Sequence, residues 1–197
     1  DVIGAAAYES AAAKFGGQTG SGRRIITPYY CWGIYLDWDP VDTLVYGNIV
    51  VGNELGGIMM LRHARNNVFE NNILVDSRRN QIWYGSMSDG SYGNRFLRNI
   101  VYYSRPAAGL IGIGRLPGKR IDQSDYNLFF HANGEPLVVD LPDVAPEDSF
   151  AKWRELGFDR HSVVADPLFV DPRKGDYRLR PDSPAYELGF RPIDVSR

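Results

Sequence analysis

Gly33-Ile-Tyr-Leu-Asp37 and Thr43-Leu-Val-Tyr-Gly-Asn-Ile-Val-Val51 are followed, 24 residues later, by Gly57-Ile-Met-Met-Leu61 and Asn67-Val-Phe-Glu-Asn-Asn-Ile-Leu-Val75. A third copy reads Gln81-Ile-Trp-Tyr-Gly85 and Asn94-Arg-Phe-Leu-Arg-Asn-Ile-Val-Tyr102. Self-similarity at a fixed period marks a repeat architecture. Each copy holds two short β-branched or aromatic runs parted by Gly, Asp, Asn or Ser. That is strand chemistry, and neither run has the length of a typical helix. The repeat is a coil of strands.

Within the coil, Ile34, Ile58 and Ile82 share one register, and Leu36, Met60 and Tyr84 share another. Period-2 alternation points these columns inward and their neighbours Tyr35, Met59 and Trp83 outward. Asn48, Asn72 and Asn99 form a further column, each followed by Ile, and Asn127 continues it in a looser fourth copy. An amide recurring at one corner can bond the rungs on either side and satisfy turn backbone that would otherwise be buried without partners. The asparagine column is therefore scaffold.

The 24-residue interval, the Asn-Ile corner column and the stacked aliphatic columns resemble the right-handed parallel β-helix of the pectate-lyase-like superfamily. The string Thr27-Pro-Tyr-Tyr-Cys-Trp-Gly-Ile-Tyr-Leu-Asp37, with Tyr46-Gly-Asn-Ile49 and Glu70-Asn-Asn-Ile73, is similar to a bacterial group of these proteins assigned to glycan breakdown. The resemblance implies an all-β fold, a right-handed parallel β-helix with a non-repeating C-terminal cap, and a polysaccharide or oligosaccharide as partner. Its superfamily contains lyases, hydrolases, epimerases and adhesins, so the fold alone does not choose among them. The ending Leu188-Gly-Phe-Arg-Pro-Ile193 resembles the closing segment of secreted bacterial β-helix proteins and implies a secreted or periplasmic location.

A chain of 197 residues suits one domain with a sizeable core. Its 24 acidic and 22 basic residues leave a net charge of −2, so nothing in the charge balance argues for a nucleic-acid partner. No apolar run is long enough to span a membrane. The single cysteine, Cys31, excludes an internal disulfide. Residues 1–32 read as part of earlier rungs, 33–131 as the rungs, and 132–197 as a capping segment. The chain is expected to be the C-terminal portion of a longer protein whose preceding rungs cover the open strand edges. In the cap, Asp148 is placed to begin one short helix, Ser149 to Leu156, that ends at Gly157 and buries Phe150, Trp153 and Leu156.

Chemistry is sought on the outward face. Tyr35, Asp37 and Asp39 fall on one side of the first strand if the strand runs that far, with carboxyls roughly 6.5–7 Å apart. Carboxyl pairs at about 6.5–9.5 Å leave room for the water of an inverting glycosidase. The 24-residue register sets His63 beside Asp39 and Arg62 beside Trp38. A histidine next to a carboxylate is suited to proton transfer near neutral pH. Asp37, Asp39 and His63 are thus the catalytic candidates. Tyr35, Arg62, Arg65, Trp83 and Arg115 are the substrate-binding ones, because guanidinium groups grip carboxylates and indole faces suit sugars. The longer loops 86–93 and Arg115 to Arg120 emerge at the same corner and would wall a cleft.

Pectate lyases hold calcium with carboxylates, yet Asp37, Asp39 and Asp42 fall short of the six to eight oxygens that calcium takes. No cofactor is expected, with calcium left as the alternative. The sequence reads as a glycoside hydrolase using carboxylates. The alternatives are a lyase acting on a uronic-acid glycan, with Arg62, His63 or Arg115 as base, and a β-helix that only binds glycan or builds structure.

Overall fold

A computed structural model describes residues 31–85, 90–113 and 121–195. Strands arrive in triplets: β1 (Trp32–Leu36), β2 (Leu44–Tyr46) and β3 (Ile49–Val51), then β4 (Gly56–Met60), β5 (Val68–Glu70) and β6 (Ile73–Val75). β7 (Asn80–Tyr84), β8 (Asn94–Leu97) and β9 (Ile100–Tyr103) precede β10 (Gly109–Ile113), β11 (Ile121–Asp125) and β12 (Leu128–His131). Corresponding strands pair in parallel, giving three sheets ordered β1-β4-β7-β10, β2-β5-β8-β11 and β3-β6-β9-β12. The protein is a parallel β-solenoid. Ile34, Ile58, Ile82 and Ile111 stand in one register, as do Leu36, Met60, Tyr84 and Ile113, and both columns face the core.

The corners repeat as faithfully as the strands. Asp39 and His63 are left-handed residues at φ 59° and 57°; so are Asp42, Asn66 and Gly93, and again Gly47, Asn71, Arg98 and Tyr126. One left-handed residue between extended stretches turns the chain sharply, a conformation that Gly, Asn, Asp and His reach at least cost. Behind the third set stands the asparagine column. Asn48 N–H and Nδ2–H both donate to Asn72 Oδ1 (3.0 and 2.9 Å), Asn72 does the same to Asn99, and Asn99 to Asn127. A second ladder runs behind the Asp42 set: Thr43 N–H donates to Asn67 Oδ1 and Asn67 N–H to Asn94 Oδ1, each at 3.1 Å.

The C-terminal third covers two surfaces. Val139 bridges Ile111, Asp159 N–H donates to the Ser124 carbonyl, and β13 (Val163–Val164) pairs with β12, so each sheet edge of the last rung has a neighbour. Helix α1 (Pro146–Glu155) closes the end with a fully buried Trp153 stacked on Phe158 at 4.2 Å. The helix begins earlier than Asp148, because Pro146 at its first turn presets the backbone and lacks the N–H that would go unbonded there. Leu156, read above as buried, is exposed just past the helix end.

Residues 165–195 do not cap the end. They run back as a strap over the outer side of the third sheet. The antiparallel hairpin β14 (Phe169–Asp171) and β15 (Asp176–Leu179), with Ala185 and Phe190, packs on Ile73, Val75, Ile100 and Leu128. Asn71 fastens the far end, its amide donating to the Arg191 carbonyl (2.9 Å) and accepting from Arg191 N–H (2.6 Å).

Asp125 latches the closing segment through its Oδ2, which accepts from His161 Nδ1 at 2.6 Å, and its Oδ1, which accepts from His161 N–H at 2.8 Å. Burial pushes Asp125 up, but the His161 side chain and the His161 and Tyr126 backbone N–H groups outweigh it and hold the carboxyl below its usual value. A lowered folded value means the contribution to stability is whole above the ordinary pKa of about 3.9 and is lost as pH falls through the folded value. Burial raises Asp159, against hydrogen bonds from Ser162, Asn127, Trp153 and Ser124 that favour its ionised form.

Two outcomes follow for urea unfolding. Asn72→Ala should lower stability by about 2–4 kcal/mol, because it removes the acceptor of Asn48 and the donor to the Val45 carbonyl in the rung before, and one donor to Asn99 in the rung after. Asp125→Asn should be less stable than wild type near neutrality and lose less on acidification from about pH 6 to about pH 2. Equal pH dependence in the two proteins would remove Asp125 from this role.

Candidate functional site

β1 ends at Leu36, so Asp37 and Asp39 do not share one strand face. Asp37 and Trp38 lead out of the strand, and Asp39 is the left-handed corner residue. The equivalent stretch after β4 is Leu61, Arg62 and left-handed His63. Backbone bonds clamp the two corners together: Leu61 N–H to the Leu36 carbonyl (3.0 Å), Asp39 N–H to Arg62 (3.1 Å) and Arg65 N–H to Pro40 (2.9 Å). The ladder residue Asn67 sits directly behind and donates to the Pro40 carbonyl at 2.9 Å. The backbone that carries these side chains is therefore held by the solenoid and is not a free loop.

The Tyr35 hydroxyl donates to Asp37 Oδ1 at 3.1 Å. The Asp39 carboxylate faces Arg65, with Nη2 to Oδ1 at 3.5 Å. Between these two aspartates Trp38 stands out from the surface, 63% exposed. The Arg62 guanidinium lies 5.2 Å from the Trp38 ring centroid, and the His63 ring is 6.3 Å away at 59°. A cation over an indole face is held by the ring quadrupole. Asp42 completes the edge by accepting from Asn66 Nδ2 at 3.1 Å. The corner thus gathers Tyr35, Asp37, Asp39, Arg62, His63 and Arg65.

Trp83 is placed elsewhere. It belongs to the outward column with Tyr35 and Met59, but it is half-buried and lies 6.1 Å from Trp32. Its ring covers Gly112 of the next rung, where a β-carbon would collide with it. Ahead of Tyr92, which bridges Arg65, the most exposed of the described aromatics at the corner is Trp38. Its signal in the sequence was the string Asp37-Trp-Asp39 at a turn, where an indole has no strand face to pack against. Arg115 and the loops 86–89 and 114–120 lie outside the described residues.

Among the described residues no three His, Cys, Asp or Glu side chains come together in a way that would hold a metal ion. No described helix is long and apolar enough to cross a membrane. Comparison with known proteins finds no matching family model, no matching curated protein and no matching solved structure.

The corner side chains point away from the core, and their removal should leave the solenoid standing. The Asp39–Arg65 pair, with side chains 49% and 34% exposed, belongs to the class of surface pairs that contribute about 0–1 kcal/mol. Asp37→Asn, Asp39→Asn and Arg62→Ala should each unfold within about 1 kcal/mol of wild type. A larger loss in thermal or urea melts would make this corner part of the scaffold.

Proposed function

We propose that the protein is a carbohydrate-active enzyme, a glycoside hydrolase that takes a polysaccharide or oligosaccharide across the corner formed by the ends of β1 and β4. The observation that carries this reading is the grouping of an exposed indole with two aspartates, two arginines and a histidine on a rigid backbone. An indole face offers a flat apolar platform to the C–H side of a sugar ring, while polar groups around it fix orientation. Asp37, oriented by Tyr35, is the candidate acid or nucleophile, and Asp39 is the second carboxylate of the pair. His63, on the same corner, is suited to moving a proton. Arg62 and Arg65 can contact a carboxylate or hydroxyls on the substrate. A glycan substrate of this kind places the protein outside the cytoplasm, secreted or periplasmic.

A second reading, binding without cleavage, draws on a specific observation. Asp37 and Asp39 are each engaged by a neighbour within the same face, and both stand open to water. A lyase remains the runner-up among enzymes, with Arg62 or His63 as the base.

A panel of plant and algal polysaccharides separates these readings. New saturated reducing ends support the hydrolase, an unsaturated uronate absorbing in the ultraviolet supports the lyase, and binding without products supports the non-catalytic reading. For a hydrolase, Asp37→Asn should lower kcat by about 10²-fold or more, the size of a lost general acid or base. Full activity in both Asp37→Asn and His63→Ala would move the chemistry away from this corner.

A further inference from the structure

We propose a second binding site, in the cleft between the third sheet and the C-terminal strap, for a single sugar residue that bears a carboxylate or a sulfate ester. The cleft measures about 270 Å³ and is lined by Tyr102 of β9 together with Asp166, Phe169, Asp171, Arg173 and Arg180 of the strap. That volume is close to the lower end of small-ligand pockets, about 300 Å³, and suits one ring rather than a chain.

Its two arginines and its tyrosine hydroxyl are uncommitted among the described residues. Arg173 and Arg180 form no ion pair among the described residues, although acids are near: Asp171 pairs with Lys174 at 3.1 Å, and Asp166 Oδ1 accepts from Leu168 N–H at 2.8 Å. Arg173 and Arg180 line the same small cleft, and the planar forks of two guanidinium groups match the oxygens of a carboxylate or sulfate. The Tyr102 hydroxyl has no hydrogen-bond partner among the described residues. Burial, then Asp76 and Asp166, push its pKa up against Arg173, so it stays a protonated donor.

The remaining surface suits a ring that is not wholly polar. Tyr102 meets Phe169 edge-on at 5.6 Å, and Tyr177 also meets Phe169 edge-on, at 5.4 Å. The second oxygens of Asp166 and Asp171 can accept from sugar hydroxyls, which a bare anion does not supply. The cleft lies on the third sheet, apart from the corner that joins the first and second, and the inference holds whether or not that corner cleaves glycan.

Calorimetric titration of the full chain tests it with four probes: inorganic sulfate, a glucuronate oligosaccharide, a sulfate-ester oligosaccharide and a neutral oligosaccharide. At least one acidic oligosaccharide should bind more tightly than inorganic sulfate and the neutral sugar, and the one that wins identifies the acid. Arg173→Ala and Arg180→Ala should each weaken it about tenfold, the equivalent of one charge-assisted hydrogen bond, with Tyr102→Phe weaker in effect. Lys152→Ala, on the capping helix and outside both sites, should leave this binding unchanged. The proposal is overturned if no acidic probe binds, if sulfate binds as well as the acidic sugars, or if affinity survives Arg173→Ala with Arg180→Ala in a variant whose melting temperature matches wild type.

Discussion

The structure depends on a hydrogen-bond ladder that has a direction. From Asn48 to Asn99 each backbone N–H and one Nδ2–H point to the Oδ1 of the following rung, while the second Nδ2–H of Asn72 and of Asn99 returns to a carbonyl of the rung before, Val45 and Phe69, so each Oδ1 from Asn72 onward is used by the rung before it. The last member, Asn127, therefore arrives with donors and needs acceptors. Another asparagine would only pass the problem on. Asn127 N–H donates to Ser162 Oγ at 2.8 Å and its Nδ2 to Asp159 Oδ1 at 2.9 Å. An ionised carboxylate is acceptor-only, the one side chain that ends such a run without offering a new donor. Asp159 also takes Ser162 Oγ on Oδ1 (2.6 Å), and Ser124 Oγ and Trp153 Nε1 on Oδ2 (2.8 and 2.7 Å). The ladder, the last rung and the capping helix meet on that one buried group.

This explains why the cap takes the form it does. A carboxylate with no exposure is costly unless donors surround it. Trp153 supplies one of those donors and, with its ring, fills the open end of the core, so a single residue closes both the polar and the apolar accounts of the last rung. The rest of the C-terminal chain is then free to do something else. It returns along the third sheet, whose strands are apolar on both faces.

That third-sheet face was written in the sequence in a form that alternation alone does not decode. Ile49-Val-Val51, Ile73-Leu-Val75 and Ile100-Val-Tyr-Tyr103 are continuous apolar runs, the mark of strands buried on both sides. Reading them only as strands left the strap to be taken for an end cap. The inward columns, by contrast, were legible because a 24-residue interval between Ile34, Ile58 and Ile82 leaves little freedom in register. The second ladder was less visible: its first member is Thr43, and its last step, Asn67 to Asn94, spans 27 residues. At the corner, the adjacency of Asp39 and His63 followed from the same interval. The end of β1 at Leu36 did not, since a turn built on a left-handed aspartate looks like a strand residue in the sequence.

The contrast between Trp83 and Trp38 has one physical cause. On the outer face of the first sheet, large side chains lean toward the following rung and lie over glycines there: Trp32 over Gly56 and Trp83 over Gly112. The indoles are covered because the next rung yields space and brings apolar neighbours. Trp38 lies at the corner, where its partner one rung on is Arg62 instead of glycine. A guanidinium can stack on one face of the indole but keeps its own water, so it shields that face without burying the ring. Trp38 therefore stays 63% exposed beside two carboxylates, where a sugar ring can reach it, while Trp32 and Trp83 are covered by the glycines they lie on.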